Sequence, residues 1–279
     1  GYWAGRTLPE VTAALGQALL GHRVAASAGA GRFPLLVKLL DANQDLSVQV
    51  HPDDAYARVH ENGDPGKTEM WYVLHAGPGA ELIYGLAPGA NAADFRRAAQ
   101  EGRLNEQLHR LPVHAGDCVF VPAGTVHALL AGAVVAEVQQ NSDTTYRVYD
   151  WGRLGADGRP RALHLEKALA VIDWAQVAPD KIAPRLLAER PGLRQERLVT
   201  CPQFTAERVQ LAAGAEFAGD CRGASFEIWG CLAGEGRIEW AGAPLAQAAV
   251  SFSLLPATLG AYAVRTDTAA TWLRVYVGP

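Results

Sequence analysis

Short runs of alternating apolar and polar residues, separated by turn residues, recur along the chain. From residue 45 to 51 the alternation is strict, with three aliphatic residues on one side and Ser47, Gln49 and His51 on the other. Residues 67–74 and 144–149 show the same period of two. Side chains with this period point to opposite faces of a β-strand, so each segment predicts a strand with one polar face. The pattern predicts a mostly β fold.

Three stretches show helical spacing instead. Thr7 and Glu10 form a capping-box pair before an apolar series that predicts a helix to about Leu20. Residues 88–111 predict one or two helices inserted between strands, and residues 164–174 predict another. Residues 175–194 are polar and contain prolines, which is typical of a connector.

Composition narrows the class of protein. The 279 residues include 29 glycines and 16 prolines, which favours turn-rich β architecture. A net charge of -4 argues against a nucleic-acid or anionic-membrane partner, and no apolar run is long enough for a membrane span. The four cysteines show no paired spacing, as in a reduced, cytoplasmic protein. We expect a monomer by default.

The segment Gly116–His127 carries the first sign of chemistry. A β-prone run ends at Pro122, Gly124 forces a turn, and His127 follows directly. A histidine in this place is often only a packed or solvated residue. A neutral imidazole between two apolar strands is also a ready metal ligand. The spacing of Gly116, Pro122, Gly124 and His127 resembles a conserved cupin motif, although Ala131 stands where many cupins have asparagine.

Further polar residues of the first half complete a candidate site. Two imidazoles (His51 and His127) and one carboxylate (Glu69) are a donor set typical of catalytic zinc, and the Gln49 amide could add an oxygen. Lys67 shares a strand face with Glu69. The two could form an ordinary solvated ion pair, or the ammonium could contact a phosphate.

Four segments together resemble the type I phosphomannose isomerase family. They are residues 47–54 (SVQVHPDD), 66–72 (GKTEMWY), 116–127 (GDCVFVPAGTVH) and 141–150 (NSDTTYRVYD). The resemblance covers nearly the whole chain and implies a zinc-dependent aldose–ketose isomerase. Such an enzyme interconverts mannose 6-phosphate and fructose 6-phosphate by proton transfer through an enediol, with one Zn²⁺ per chain.

The resemblance also implies roles for individual residues. Metal ligands fall on Gln49, His51, Glu69 and His127; catalytic residues on Arg147 and Glu137; and substrate-binding residues on Ser47, Lys67 and Arg153. Charge that builds on the enediol oxygens calls for nearby cations in a dry cavity. The base that takes the C2 proton could be Glu137, a water on the metal, or a ligand histidine.

The fold implied by the resemblance is a bicupin, two jelly-roll-like barrels with a small helical insertion and connecting helices. We expect a catalytic, metal-binding barrel over residues 1–160 with the insertion at about 88–111. A helical connector over 161–195 and a second, metal-free barrel over 196–279 would follow, since no histidine occurs after His164. Family members usually have a strand before the segment that begins here at Gly1, so the resemblance does not predict which strand forms the edge of the first sheet.

Two other readings belong to different classes. A non-catalytic sugar-phosphate-binding or regulatory cupin could keep the metal and lose the chemistry, but the metal set, Lys67 and Arg147 are all present. A metal-dependent cupin oxygenase usually has three histidine ligands and redox-active iron or copper. Gln49 in place of a histidine disfavours it.

Overall fold

A computed structural model describes residues 2–25, 32–155 and 158–278. The chain forms two compact units. The middle unit is Leu35–Ile182, and the terminal unit comprises the described residues of Gly1–Pro34 and Ala183–Pro279. No described helix has the length and hydropathy needed to cross a bilayer.

The chain is mostly β and its strand pairs are antiparallel, which confirms the predicted fold class at this level. The helices are α1 (Leu8–Leu15), α2 (Gln17–Leu20), α3 (His22–Ala25), α4 (Asp54–His60), α5 (Ala92–Gln100) and α6 (Leu165–Val171). The strands of the middle unit are β1 (Leu35–Asp41), β2 (Val48–Val50), β3 (Glu69–Ala76), β4 (Glu81–Leu86), β5 (Leu108–Pro112), β6 (Cys118–Val121), β7 (His127–Leu129), β8 (Ala133–Gln140) and β9 (Tyr146–Tyr149). Those of the terminal unit are β10 (Arg185–Arg190), β11 (Leu193–Thr200), β12 (Thr205–Leu211), β13 (Glu216–Asp220), β14 (Glu227–Ala233), β15 (Gly236–Glu239), β16 (Leu245–Gln247), β17 (Ser251–Leu255), β18 (Ala261–Arg265) and β19 (Ala270–Tyr276).

Two sheets of the middle unit enclose a shared core. One has the strand order β1-β8-β3-β6 and the other β5-β4-β7-β2-β9. Trp71 and Val135 of the first sheet belong to the same buried cluster as Leu82 and Leu129 of the second. Removal of this apolar surface from water is the main force that holds the two sheets together.

The turn before β7 fixes where its first residue lies. Pro122 follows β6 directly, and Gly124 has φ +86°, a conformation that glycine adopts without strain. A Cβ at Gly124 would also lie 3.0 Å from the carbonyl oxygen of Val171. This close approach and the positive φ explain why the Pro-x-Gly sequence precedes His127.

The terminal unit repeats the strand order of the middle unit. Its sheets run β10-β11-β12-β19-β14-β17 and β13-β18-β15-β16. The strands β12 to β19 can be matched in chain order with β1 to β8 if α5 and the turn after it are left out. In this match, the sheet order β12-β19-β14-β17 corresponds to β1-β8-β3-β6. In the same way β16-β15-β18-β13 corresponds to β5-β4-β7-β2. The two units therefore share one topology.

The N-terminal helices belong to the terminal unit. The capping box of Thr7 and Glu10 is present, which confirms the predicted start of the first helix. That helix breaks at Gly16, where φ is +51°, so the predicted run to Leu20 is split into α1 and α2. The carbonyl oxygen of Leu20 accepts a hydrogen bond from Phe226 N, which attaches α2 to the start of β14.

Several local expectations differ from the structure. The predicted helical insertion contains α5, but the apolar spacing after it belongs to a 3-10 turn, Leu104–Gln107, and to β5. β4 was not predicted, and residues 185–194, predicted as a connector, contain β10 and the start of β11.

Candidate metal and substrate site

Neighbouring strands of the second sheet place three polar side chains in one row. Gln49 on β2 lies directly opposite His127 on β7 and opposite Arg147 on β9. Directly paired residues on antiparallel strands point to the same face. The alternation of β2 continues past its end, so His51 shares this face with Gln49.

The first sheet contributes acidic and basic side chains from three strands. Trp71 on β3 lies opposite Glu137 on β8, which in turn lies opposite Lys38 on β1. Glu69 begins β3 and shares the face of Trp71, because the two are separated by two positions. The Trp71 and His127 rings meet edge to face with centroids 5.4 Å apart, so the two polar rows face each other across the core.

His51, Glu69 and His127 converge in the centre of this region. One ligand atom from each lies within 4.8 Å of the others. The Nε2 atom of His127 is 3.0 Å from Glu69 Oε1, and that of His51 is 3.8 Å from Glu69 Oε2. All three side chains are fully buried. The structure thus brings together three of the four predicted ligands in a geometry that suits a small cation.

The hydrogen bonds of the two imidazoles show that a metal fits. His51 Nδ1 donates to the carbonyl oxygen of Thr144, and His127 Nδ1 donates to that of Thr125, both at 2.9 Å. In neutral imidazoles the Nε2 atoms then carry lone pairs directed at Glu69. Among the described residues, neither Glu69 oxygen nor His51 Nε2 has a hydrogen bond. Two lone pairs facing a carboxylate repel one another unless a cation lies between them.

Gln49 is next to this group but presents its nitrogen to it. The amide Nε2 lies 3.3 Å from His127 Nε2, which can accept its proton. A half-turn of the terminal amide torsion would exchange this nitrogen for the Oε1 oxygen without moving the rest of the side chain. Gln49 is therefore positioned to be a fourth ligand.

Lys67 supplies positive charge at the edge of the cluster. Its Nζ atom is 3.3 Å from Glu69 Oε2, and the lysine side chain is only 6% exposed. Burial alone would raise the pKa of Glu69, but Lys67 and the two imidazoles hold it well below its usual value. Burial, followed by the Lys67 charge, lowers the pKa of His51 well below its usual value. The carboxylate is therefore ionised and the His51 imidazole neutral, as metal binding requires.

Glu137 is held from two sides. Trp71 Nε1 donates to its Oε1 at 2.9 Å, and Lys38 Nζ lies 3.0 Å from its Oε2. Burial, with the nearby charge of Glu69, raises the pKa of Glu137 above its usual value. A carboxyl group with a raised pKa can both accept and return a proton near neutral pH.

Arg147 is only partly engaged by the protein. Its Nη1 atom donates to the carbonyl oxygen of Ala162 at 3.1 Å, and its buried Nε has no hydrogen-bond partner among the described residues. Burial, followed by the charge of Arg161, lowers the pKa of Arg147. The guanidinium lies on the face of Gln49 and His127 and keeps donors for an anionic ligand.

The remaining predicted residues, Arg153 and Ser47, have no described contact with the metal cluster. Arg153 Nη2 donates to Asp150 Oδ1 at 2.5 Å, and Arg161 Nε donates to Asp150 Oδ2 at 2.7 Å. Ser47 is buried in the loop before β2. The Asp150 carboxylate is the shared neighbour of three guanidinium groups, those of Arg147, Arg153 and Arg161. This end of the site therefore carries an excess of positive charge.

Sequence reasoning missed three residues that support the site. Lys38 is the one charge in an apolar run of the sequence, and in the structure it pairs with Glu137 and also donates to Gln139. Gln139 is fully buried directly opposite Glu69. The period of two over residues 67–74 puts Trp71 on the same strand face as Glu69, but it does not indicate that the indole donates to Glu137. An isolated charge in an apolar strand was the available signal for Lys38.

Comparisons with known proteins agree with this geometry. A family model described as phosphomannose isomerase type I, catalytic domain, matches residues 4–76. GmuF of Bacillus subtilis, named "Probable mannose-6-phosphate isomerase", is 42% identical over 232 residues, which are 83% of this chain and 72% of GmuF. The mannose-6-phosphate isomerase of Streptococcus mutans is 44% identical over 206 residues, which are 74% of this chain and 63% of that protein.

A solved structure gives the same result. The crystal structure of the mannose 6-phosphate isomerase from Bacillus subtilis superimposes with a TM-score of 0.80 at 34% sequence identity. The match covers 90% of this chain and 77% of the other. At this identity and coverage the two chains share their fold over most of their length.

Proposed function

Because the chain belongs to the type I phosphomannose isomerase family, we propose that it interconverts mannose 6-phosphate and fructose 6-phosphate between the two sheets of the middle unit. The observation that carries this proposal is the buried cluster of His51, Glu69 and His127 beside Lys67 and Arg147. The names of the relatives supply the substrate class.

We propose that the cluster holds one Zn²⁺, with Gln49 as the fourth ligand. Two imidazoles and one carboxylate leave room for further oxygen ligands, which is the usual composition of a catalytic zinc site. The bound cation would supply Lewis-acid stabilisation of negative charge on the sugar oxygens. The tautomers of His51 and His127, fixed by backbone carbonyls, support this assignment.

Arg147 and Glu137 would stabilise the developing charge and transfer the proton, respectively. The reaction moves a proton between C1 and C2 of the sugar through an enediol, so charge develops on O1 and O2. Arg147 would lie against these oxygens with a guanidinium that stays charged at any working pH. We assign proton transfer to Glu137, because its carboxylate is buried, oriented by Trp71 and Lys38, and has a raised pKa.

The phosphate group is assigned to the cationic side of the site. Lys67 offers a buried ammonium, Ser47 a buried hydroxyl donor, and Arg153 a guanidinium next to that of Arg147. These groups would orient the sugar so that C2 faces Glu137. Exclusion of water by the buried walls strengthens each charge interaction.

We further infer that both units are cupin-type jelly rolls, of which only the first, within residues 1–160, is catalytic. Residues 161–195 would then connect it to a second barrel over 196–279. The shared strand order of the two units supports the assignment of two jelly rolls. We also propose a monomeric, cytoplasmic enzyme; the four free cysteines suit a reducing compartment.

A coupled isomerisation assay with metal analysis tests the proposal. We expect about one zinc per chain and activity that is lost with chelator and restored by Zn²⁺. His127→Ala should lose metal and activity together, whereas Arg147→Ala should keep the metal and lose kcat. Full turnover in a rigorously metal-free sample would refute the metal assignment. Metal and sugar-phosphate binding without turnover would favour a non-catalytic binding protein instead.

A further inference from the structure

The terminal unit keeps the acidic position of the metal site. Glu227 begins β14 as Glu69 begins β3, and a tryptophan follows two residues later in each strand, Trp229 and Trp71. Each glutamate lies opposite the corresponding positions of the two flanking strands. The pairing of β3 with β8 and the pairing of β14 with β19 each contain a register shift. In both, the shift follows the residue four positions after the glutamate. The frame around Glu227 thus reproduces the frame around Glu69.

The other ligand positions can be matched in the same way. Tyr262 on β18 lies opposite Gly219 on β13, as His127 lies opposite Gln49. Cys221 follows Gly219 by two residues, as His51 follows Gln49. The positions of the four proposed ligands, in chain order, are occupied here by Gly219, Cys221, Glu227 and Tyr262.

The tyrosine and the glutamate at these positions are in direct contact, as His127 and Glu69 are. The Tyr262 hydroxyl donates to Glu227 Oε2, and a Cβ at Gly219 would lie 2.3 Å from the Tyr262 ring. Gly219 therefore leaves the space that the tyrosine ring fills. Cys221 is buried and belongs to the same packed cluster as Tyr262 and Trp229, which places this thiol beside the group. Burial, together with the nearby charge of Glu227, raises the pKa of Cys221 to about 12.

Arg274 supplies the cation of this group. It lies opposite Trp229, the position that Glu137 holds in the middle unit. Its Nε and Nη2 atoms donate to the two oxygens of Glu227, both at 2.7 Å, and Nη1 donates to Glu207 at 3.2 Å. The Glu227 side chain is 5% exposed and that of Arg274 is 16% exposed. A planar guanidinium bound to both oxygens is a strong, directional partner for a buried carboxylate.

We propose that the terminal unit contains a cation site that is filled from within, where the Arg274 guanidinium takes the place that a metal ion takes in the middle unit. Loss of this guanidinium would leave Glu227 as a buried anion that binds small cations from solution. The vacated site would accept an alkylguanidinium ion and, with Tyr262→His, a divalent metal held by Cys221 and Glu227. This inference goes beyond the proposed isomerase function and uses the proposed metal site only as a comparison.

Chemical rescue of Arg274→Ala tests the first part. Ethylguanidinium matches the atoms that this substitution removes. We expect the variant to lose about 10 °C in Tm, since it breaks a buried ion pair. Ethylguanidinium at millimolar concentration should restore at least half of that loss with saturation, whereas potassium chloride of equal ionic strength should not. The wild-type chain should gain nothing.

Arg208→Ala is a matched control. Arg208 is similarly buried, at 17% side-chain exposure, and binds Glu196 on the neighbouring strand β11. Glu196 keeps a second partner in Arg194, so its charge stays neutralised. Absence of rescue in Arg274→Ala, or equal rescue in Arg208→Ala, would overturn the proposal. If Arg274→Ala folds only after refolding with ethylguanidinium, the proposal stands; if it folds in neither condition, the proposal fails.

Cobalt binding tests the second part and keeps its failure separate from that of the isomerase. The proposed site of the middle unit has only nitrogen and oxygen donors, so a thiolate-to-cobalt charge-transfer band would report a cysteine ligand outside that site. Cys221→Ser shows whether that ligand is Cys221 or one of the other three cysteines. We expect Arg274→Ala/Tyr262→His to bind about one Co²⁺ more than wild type and to show this band, and Cys221→Ser to abolish it. No extra Co²⁺, or a band that survives Cys221→Ser, would contradict the inference.

Discussion

Glu69→Gln tests the buried charge pair at the centre of the proposed site. The Lys67 ammonium lies 3.3 Å from Glu69 Oε2, and both side chains are more than nine-tenths buried. At an effective dielectric constant of about 20, two unit charges at this distance attract by about 5 kcal/mol. The substitution keeps the shape of the side chain but leaves the ammonium without its acidic partner. We therefore expect the metal-free variant to lose about 3–5 kcal/mol of unfolding free energy.

A double-mutant cycle measures this interaction directly. Glu69→Gln, Lys67→Met and the double variant would be unfolded in urea in the presence of chelator and compared with wild type. We expect a coupling energy of about 3 kcal/mol, because the double variant buries neither charge. Glu106→Gln breaks the exposed ion pair with Arg103 and should cost less than about 0.5 kcal/mol. A coupling energy as small as that control would refute the reasoning.

The same two variants distinguish the role of Glu69, the proposed metal ligand, from that of the neighbouring Lys67. Glu69→Gln removes the proposed anionic ligand, so we expect it to lose the proposed zinc ion on dialysis. Lys67→Met removes a competing cation from the same carboxylate, so zinc should be kept while the KM for the sugar phosphate rises. Elemental analysis and steady-state kinetics on both variants would show the two effects. Loss of zinc from Lys67→Met would assign the ammonium a structural part in the metal site.

Three further outcomes are expected. Trp71→Phe removes the buried donor to the proposed base and should lower kcat about tenfold or more with zinc retained, as kinetics and metal analysis would show. Gly85→Ala should cost more than about 2 kcal/mol in urea unfolding, since φ is +81° and the Cβ would lie 2.3 Å from Pro179 Cδ. Gly89→Ala, with φ +85° and open space, should cost about 1 kcal/mol. Burial raises the pKa of Asp150, but Arg161 and Arg153 lower it by a larger amount, so the pKa lies below its usual value. Stability from this group is therefore complete above its unfolded pKa of about 3.8 and lost as the pH falls through the lower folded value; Asp150→Asn should flatten the acid limb of Tm against pH.

The predicted ligands were visible in the sequence because their signals are local. His51 is set by a strict alternation that ends at a proline, and His127 by a Pro-x-Gly turn. Both signals act within a few residues, as strand periodicity and turn chemistry do. Lys38 and Glu137 meet only because β1 pairs with β8 about a hundred residues later, and no local pattern contains that register.

The errors in secondary structure have a similar cause. Leu104 and Leu108 are four residues apart, as on one face of a helix, yet they belong to a 3-10 turn and the start of a strand. β10 is exposed along most of its length, so its residues show no apolar alternation. Its pairing with β11 determines its conformation. The sequence does not indicate the charged group around Arg274, because Arg274 and Glu227 lie on different strands 47 residues apart.

Backbone carbonyls at Thr125 and Thr144 orient both proposed histidine ligands. Every residue type provides the same carbonyl oxygen, so side-chain substitution at these two positions does not by itself delete the acceptor. The orientation of each imidazole is thus encoded in the path of the main chain. Substitutions at positions 125 and 144 are compatible with the proposed metal centre, whereas a one-residue insertion in either loop would misalign an imidazole even with all the candidate ligand residues kept.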